Sequence, residues 1–226
     1  MKKTTQKFML IVAAGTTLIN LCLPTVSLGG LLPGGSNAYG KNLAQWQETY
    51  WRWAYGVLSL PQDAHGNAVA NGVVLMGLPN APGDGTPGTL DVTLSPGQPF
   101  MLPLWNVLGT SYDNGTPDDP AIPSSVFRTL AFTFKIDGVT VLNGDNLMNY
   151  YSQFQFTPAI PLPAGFSPYL AIIWLQGIGL VHTPLAVGNH TFSLDVKNTQ
   201  LVHDGQGFSY TYEFHNTWHV RVTPSR

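Results

Sequence analysis

The segment Phe127–Ile136 constrains the fold more than any other part of this chain. Leu130, Phe132, Phe134 and Ile136 share one parity, and Thr129, Ala131, Thr133 and Lys135 share the other. A period of two is that of a strand with one buried face. Asp137-Gly138 follows at once, and Val139–Leu142 comes next. That residue pair suits a type I′ turn, in which both central residues take positive φ. A lone hairpin is marginal in water, so the chain must supply more strands to cover its apolar face. The candidates are Val73–Leu78, Leu90–Leu94, Phe100–Trp105, Tyr150–Phe156, Tyr169–Leu175, His190–Lys197 and a long run from Phe208 to Val222. Asn143-Gly144 and Asp204-Gly205 mark further turns.

Between these runs lie Pro/Gly-rich loops, the largest being Asn80–Gly88 and Ser111–Ser124. They account for many of the 24 glycines and 18 prolines in 226 residues, well above the roughly 12% that is usual for the two together. One helix is expected. Leu43, Trp46, Tyr50, Trp53, Ala54 and Val57 recur at helical spacing, Asn42 suits the N-cap, and Gly56 or Pro61 would end it. Trp46, Trp51 and Trp53 cannot all share one of its faces. With no internal repeat and one composition throughout, we expect a single domain over residues 42–226. It is mostly β, an antiparallel β-sandwich of jelly-roll type with an N-terminal α-helix.

Charge and hydropathy narrow the classes further. Charged residues are 10% of the chain and hydrophobic ones 44%, too few charges for a coiled coil and too much apolar content for a disordered chain. A formal charge of −2 does not suit a nucleic-acid binder. Lys2, Lys3 and Lys7 precede a short apolar stretch, Phe8–Leu23, with small residues at Ser27 and Gly29. That is the layout of a secretory signal peptide over residues 1–28, followed by a flexible leader over 29–41. The expected location is secreted or periplasmic, with no membrane span after cleavage. The processed chain would lose Cys22, the single cysteine, and carry seven Lys/Arg against twelve Asp/Glu.

The closing run Y-T-Y-E-F-H-N-T-W-H-V-R-V holds the clearest candidate chemistry. Tyr210, Tyr212, Phe214, Trp218, Val220 and Val222 form a core parity interrupted only by Asn216. Glu213, His215, Thr217, His219 and Arg221 form the other. Residues two apart on one strand face are roughly 6–7 Å apart at Cβ, so Glu213, His215 and His219, with His203 or His190, are candidate ligands for a divalent transition metal. A strand with one wet face also places such residues there without any metal, and a bulge near His215-Asn216 would break the parity. Asp113, Asn114, Asp118 and Asp119 crowd one loop and are candidate Ca²⁺ ligands, or ordinary turn residues.

Other candidates are for ligand binding. Arg128 shares parity with Leu130 and Phe132, which would turn it toward the core, where it needs a partner or clamps a ligand, or toward one end of the sandwich, where its guanidinium reaches water. His190 shares parity with Phe192 and Leu194 and is either a satisfied half-buried histidine or a ligand. Trp51, Trp105, Trp174 and Tyr151 offer flat rings for a sugar or small molecule, or fill the core. No G-x-S-x-G elbow or phosphate loop occurs.

Several segments together resemble a broad group of secreted bacterial proteins of uncharacterised function, predicted as β-sandwiches. They are AQWQETYWRWAYG, GVVLMGL, Ser95–Asn106 (SPGQPFMLPLWN), the I-D-G hairpin, Pro184–Thr191 and FHNTWHVRV. The resemblance implies export, one β domain and an ordered helix, and it transfers no catalytic residue. The expected function is a non-catalytic binding or surface protein for a glycan or small ligand. The alternative is a metal-dependent enzyme with a His/Glu site on the last strand.

Overall fold

The computed structural model describes residues 30–224, so the signal peptide read over residues 1–28 lies outside the described residues. The chain is mostly β. Helix α1 (Leu43–Ala54) is followed by β1 (Ala68–Ala70), β2 (Val73–Leu75), β3 (Gly88–Leu94) and β4 (Phe100–Tyr112). A short helix α2 (Ser124–Arg128) precedes β5 (Ala131–Ile136), β6 (Val139–Asn143), β7 (Tyr151–Pro161) and β8 (Tyr169–His182). The chain closes with β9 (Gly188–Lys197), β10 (Val202–His203), β11 (Ser209–Tyr210) and β12 (Glu213–Val222). One five-stranded sheet runs β1-β2-β4-β8-β7 and the other β3-β12-β9-β5-β6, while β10 and β11 form a small separate pair. Pairing is mainly antiparallel, but β2–β4 and β3–β12 are parallel. Among the described residues no helix is long and apolar enough to cross a membrane.

The alternating segment forms the expected hairpin. Asp137 and Gly138 both take positive φ, 51° and 79°, as a type I′ turn requires. Phe132, Phe134 and Ile136 are buried. They join Leu102, Trp105 and Leu180 of one sheet and Phe192, Trp218 and Val220 of the other in one apolar cluster. The helix also begins as expected: Asn42 caps Gln45, and the Gln45 side chain returns a bond to the Asn42 N–H. It ends at Gly56, whose φ is 72°. Its buried side, including Trp46, Gln47 and Tyr50, packs against the sheet of β4, β7 and β8.

Four expectations are corrected. The strand expected over Phe127–Ile136 starts only at Ala131, because Ser124–Arg128 closes a helical turn after Pro123. Arg128 is exposed, so of its two expected placements the one that reaches water holds, at a helix end and not at a strand end. The run from Phe208 to Val222 is broken between β11 and β12. The leader at residues 30–41 packs on the body: Leu32 donates its N–H to Val181, Ala38 is buried, and the Ala38 carbonyl accepts from the Trp46 indole. Finally, β4 and β8 run well past Trp105 and Leu175, where the expected strands end, and both continue through glycines. A Cβ on Gly109 would lie 1.8 Å from the Trp174 ring, and one on Gly177 would lie 2.1 Å from Asn106 Oδ1. These glycines sit in strands because large side chains cross their bare Cα atoms.

Candidate functional site

The candidate metal ligands on β12 are carried by an unbroken ladder. Its register with β9 and β3 has no bulge, so Glu213, His215, His219 and Arg221 do share the outer face. Glu213 stands opposite Lys197 and His215 opposite Asp195. The contacts follow that register: His215 Nδ1 lies 2.7 Å from Asp195 Oδ1, His215 Nε2 lies 3.4 Å from Glu213 Oε1, and Lys197 Nζ donates to Glu213 Oε2 at 2.7 Å. The hydrogen bond to the Asp195 carboxylate, with help from Glu213, raises the His215 pKa above its ordinary value. Bonding to Lys197 lowers that of Glu213. His219 sits further along the strand in a shallow depression shared with His190 and Asp91. His203 bonds Ser209 through Nδ1 at 2.8 Å, beside another cavity. The four nominated ligands thus stand at three places. Among the described residues no group of three or more His, Cys, Asp or Glu side chains is arranged to hold a metal ion.

His190 is buried and satisfied on both nitrogens. Nδ1 meets Asp137 Oδ2 at 2.7 Å and Nε2 meets the Ala186 carbonyl at 2.9 Å. It ties the β5–β6 turn to the start of β9. In the acidic loop, Asp119 points inward and accepts from the Thr110 N–H, the Thr110 and Tyr112 hydroxyls and the Gly205 N–H. Asn114 caps Thr116, and Asp113 accepts from Ser167. Tyr151 packs on Phe127, and its hydroxyl bonds Gln153 and Gln176.

Trp51 and Trp105 do come together. They border one cavity of about 190 Å³ with Leu78, Phe214 and the side chains of Asn106 and Asn216. Trp51 is brought by α1, which lies over the first sheet. Trp105 and Asn106 come from β4, beyond the point where its neighbour β2 stops: β2 pairs only with Phe100 and Met101. Phe214 and Asn216 come from the inward face of β12. No ionisable side chain borders this cavity.

Its polar groups are the unusual feature. Among the described residues, four buried side-chain polar atoms have no hydrogen-bond partner, and three are on residues that border this cavity: Trp51 Nε1, Asn106 Oδ1 and Asn216 Oδ1. The fourth, Gln47 Oε1, is one helical turn before Trp51. An unsatisfied buried polar atom costs about 1–3 kcal/mol, so three at one place call for a compensating role. A half-turn of either amide exchanges its oxygen for its NH₂, so the pair can accept or donate. Asn216 was visible in the sequence as the single polar break in a core parity. Asn106 carried no such signal, because Gly177 had to be placed beneath it first.

A second cavity, about 200 Å³, lies further along β4. Its rings are Tyr112, Tyr169, Trp174, Tyr210 and Tyr212, and it contains the Asp119 and Asp204 carboxylates with no lysine or arginine. Tyr210 donates to Asp204 at 2.7 Å, and that bond raises its pKa and keeps the hydroxyl protonated. Burial, then the charges of Asp204 and Asp119, raise that of Tyr212. No protein-family model and no curated protein matches the chain.

Proposed function

We propose that this is a secreted or periplasmic, non-catalytic binding protein. Its ligand, a glycan or another small molecule with an apolar face, occupies the cavity between Trp51, Trp105 and Phe214. The observation that carries this reading is one aromatic-walled, uncharged cavity bordered by three residues, Trp51, Asn106 and Asn216, each of which holds an unpartnered buried polar atom. Such cavities, mostly apolar with a few placed polar groups, are what small-ligand sites look like, although this one is below the roughly 300–1,000 Å³ of drug-sized sites. We further propose that the two five-stranded sheets are the layers of a jelly-roll-like β-sandwich, which the shared core cluster supports. The segment resemblance described above supports placing the chain with secreted bacterial proteins of that kind. A glycan array read with the purified protein, followed by calorimetry on the hits, tests the binding reading. Saturable binding that Asn216→Leu abolishes supports it. No binder among glycans and small polar ring compounds overturns it.

A second reading, a metal-dependent enzyme using Glu213, His215 and His219 with His203 or His190, draws on the contact between His215 and Glu213 at 3.4 Å. Metal analysis of untagged protein decides it: stoichiometric Zn, Cu, Fe or Mn supports it, and metal-free protein that takes up none on addition rejects it.

A further inference from the structure

The two aromatic cavities have no lining residue in common, but they lie one after the other along β4 and along the segment from Tyr210 to Asn216. On one side β4 contributes Leu104, Trp105 and Asn106 to the first, then Val107, Thr110 and Tyr112 to the second. On the other side, in the opposite direction, Asn216 and Phe214 border the first, and Tyr212 and Tyr210 border the second. The rings at 210, 212 and 214 bridge the junction. Tyr210 and Tyr212 stack at 6.0 Å and 20°, and Tyr212 and Phe214 at 6.2 Å and 15°. From Leu104 to Tyr112 the strand spans roughly 25 Å, at about 3.3 Å per residue. We infer that the two cavities are successive subsites of one groove for a linear, uncharged oligosaccharide several rings long. This rests on the binding reading above and assigns its ligand class.

Three features select that occupant. Aromatic side chains line both cavities, Trp51, Trp105 and Phe214 in the first and Tyr112, Tyr169, Trp174, Tyr210 and Tyr212 in the second, and such rings suit the apolar faces of sugar rings. The Asn106 and Asn216 amides suit hydroxyl edges, while the Asp119 and Asp204 carboxylates are taken up by bonds within the protein. Neither lining holds lysine or arginine, and the second sets two carboxylates beside one histidine, His203, a balance that disfavours an anionic glycan by like-charge repulsion. An extended peptide is served less well. A strand added at a sheet edge needs free backbone N–H and C=O groups, yet Pro103 has no N–H, and both backbone groups of Thr110 are taken by Asp119.

The test is chain-length dependence. Neutral linear gluco-, manno-, xylo- and N-acetylgluco-oligosaccharides of two and six rings, and a galacturonate hexamer, are titrated by calorimetry. One neutral series should bind at least tenfold tighter at six rings than at two, and the galacturonate should bind at least tenfold weaker than that hexamer. Asn216→Leu should weaken both lengths. Tyr210→Ala should weaken the hexamer at least fivefold and leave the disaccharide unchanged, whereas Tyr210→Phe, which keeps the ring, should hold the hexamer within twofold. A disaccharide that binds as tightly as its hexamer overturns the groove and leaves the single-cavity reading standing. Preferred binding of the galacturonate, or competition by an extended peptide better than by any sugar, overturns the ligand class. No sugar binding at any length, with small polar ring compounds also inert, overturns both readings.

Discussion

The two faces of β12 carry opposite kinds of polar residue. On the outer face, Glu213 and His215 are bonded to each other and to Lys197 and Asp195 across the ladder. On the inner face, Asn216 stands alone among Phe214, Trp218, Val220 and Val222, 6% exposed and unbonded at its oxygen. The outer residues look like chemistry in the sequence because they are titratable. They need no ligand, because water and neighbours satisfy them. The inner amide looks like an interruption, yet it is the group whose situation costs free energy until something bonds it. Residue type is therefore a weaker signal of function on this strand than the mismatch between a residue and its surroundings.

Substitutions along the strand can break or sharpen that contrast. The largest effect belongs to Trp218, fully buried against Phe134 with its indole donating to the Gly77 carbonyl. Trp218→Ala should cost about 3–5 kcal/mol in urea unfolding. A loss under 1 kcal/mol would mean that this face is not core. Next comes Asn216→Leu, similar in size and free of the orphan amide. It should raise stability by about 1 kcal/mol while weakening ligand binding at least tenfold. A loss of stability would show that the amide serves the fold.

On the outer face, His215→Gln should change stability by less than ~1 kcal/mol, as exposed ion pairs do. The His215 pKa is raised in the folded state. Its contribution is therefore fully present below the unfolded value of about 6.5 and is lost as pH rises through the folded value. The difference between wild type and variant should be larger at pH 5.5 than at pH 9, and the opposite trend would contradict the Asp195–His215 contact. The smallest effect is expected for Arg128→Ala, an exposed helix end that should stay within about 0.5 kcal/mol.

What the sequence made legible followed from local periodicity and turn chemistry. The Asp137-Gly138 hairpin, the Asn42 cap, the face assignment of β12 and the buried histidine at 190 all lie within a few residues of the pattern that announces them. What it hid depends on distant partners. Gly109 and Gly177 lie beyond the expected ends of their strands, and their place in β4 and β8 becomes clear only when Trp174 and Asn106 are laid over them. Arg128 read as a strand residue because the helical turn after Pro123 leaves the apolar alternation beyond it intact. The site was half legible: Trp51 and Trp105 are flat rings with no neighbour to explain them. Their meeting with Asn106, Phe214 and Asn216 required the ends of three elements to converge where β2 stops short.

The central claim is that the inward side of β12, not its titratable outer face, is the working surface. Side-chain NMR reads both at once: the Trp51 indole and the Asn106 and Asn216 amides on one side, and the His215 imidazole on the other, during titration with the tightest-binding neutral oligosaccharide. The account predicts saturable shifts at Trp51, Asn106 and Asn216 with His215 unmoved. Shifts centred on His215, with the three inner groups silent, would contradict it.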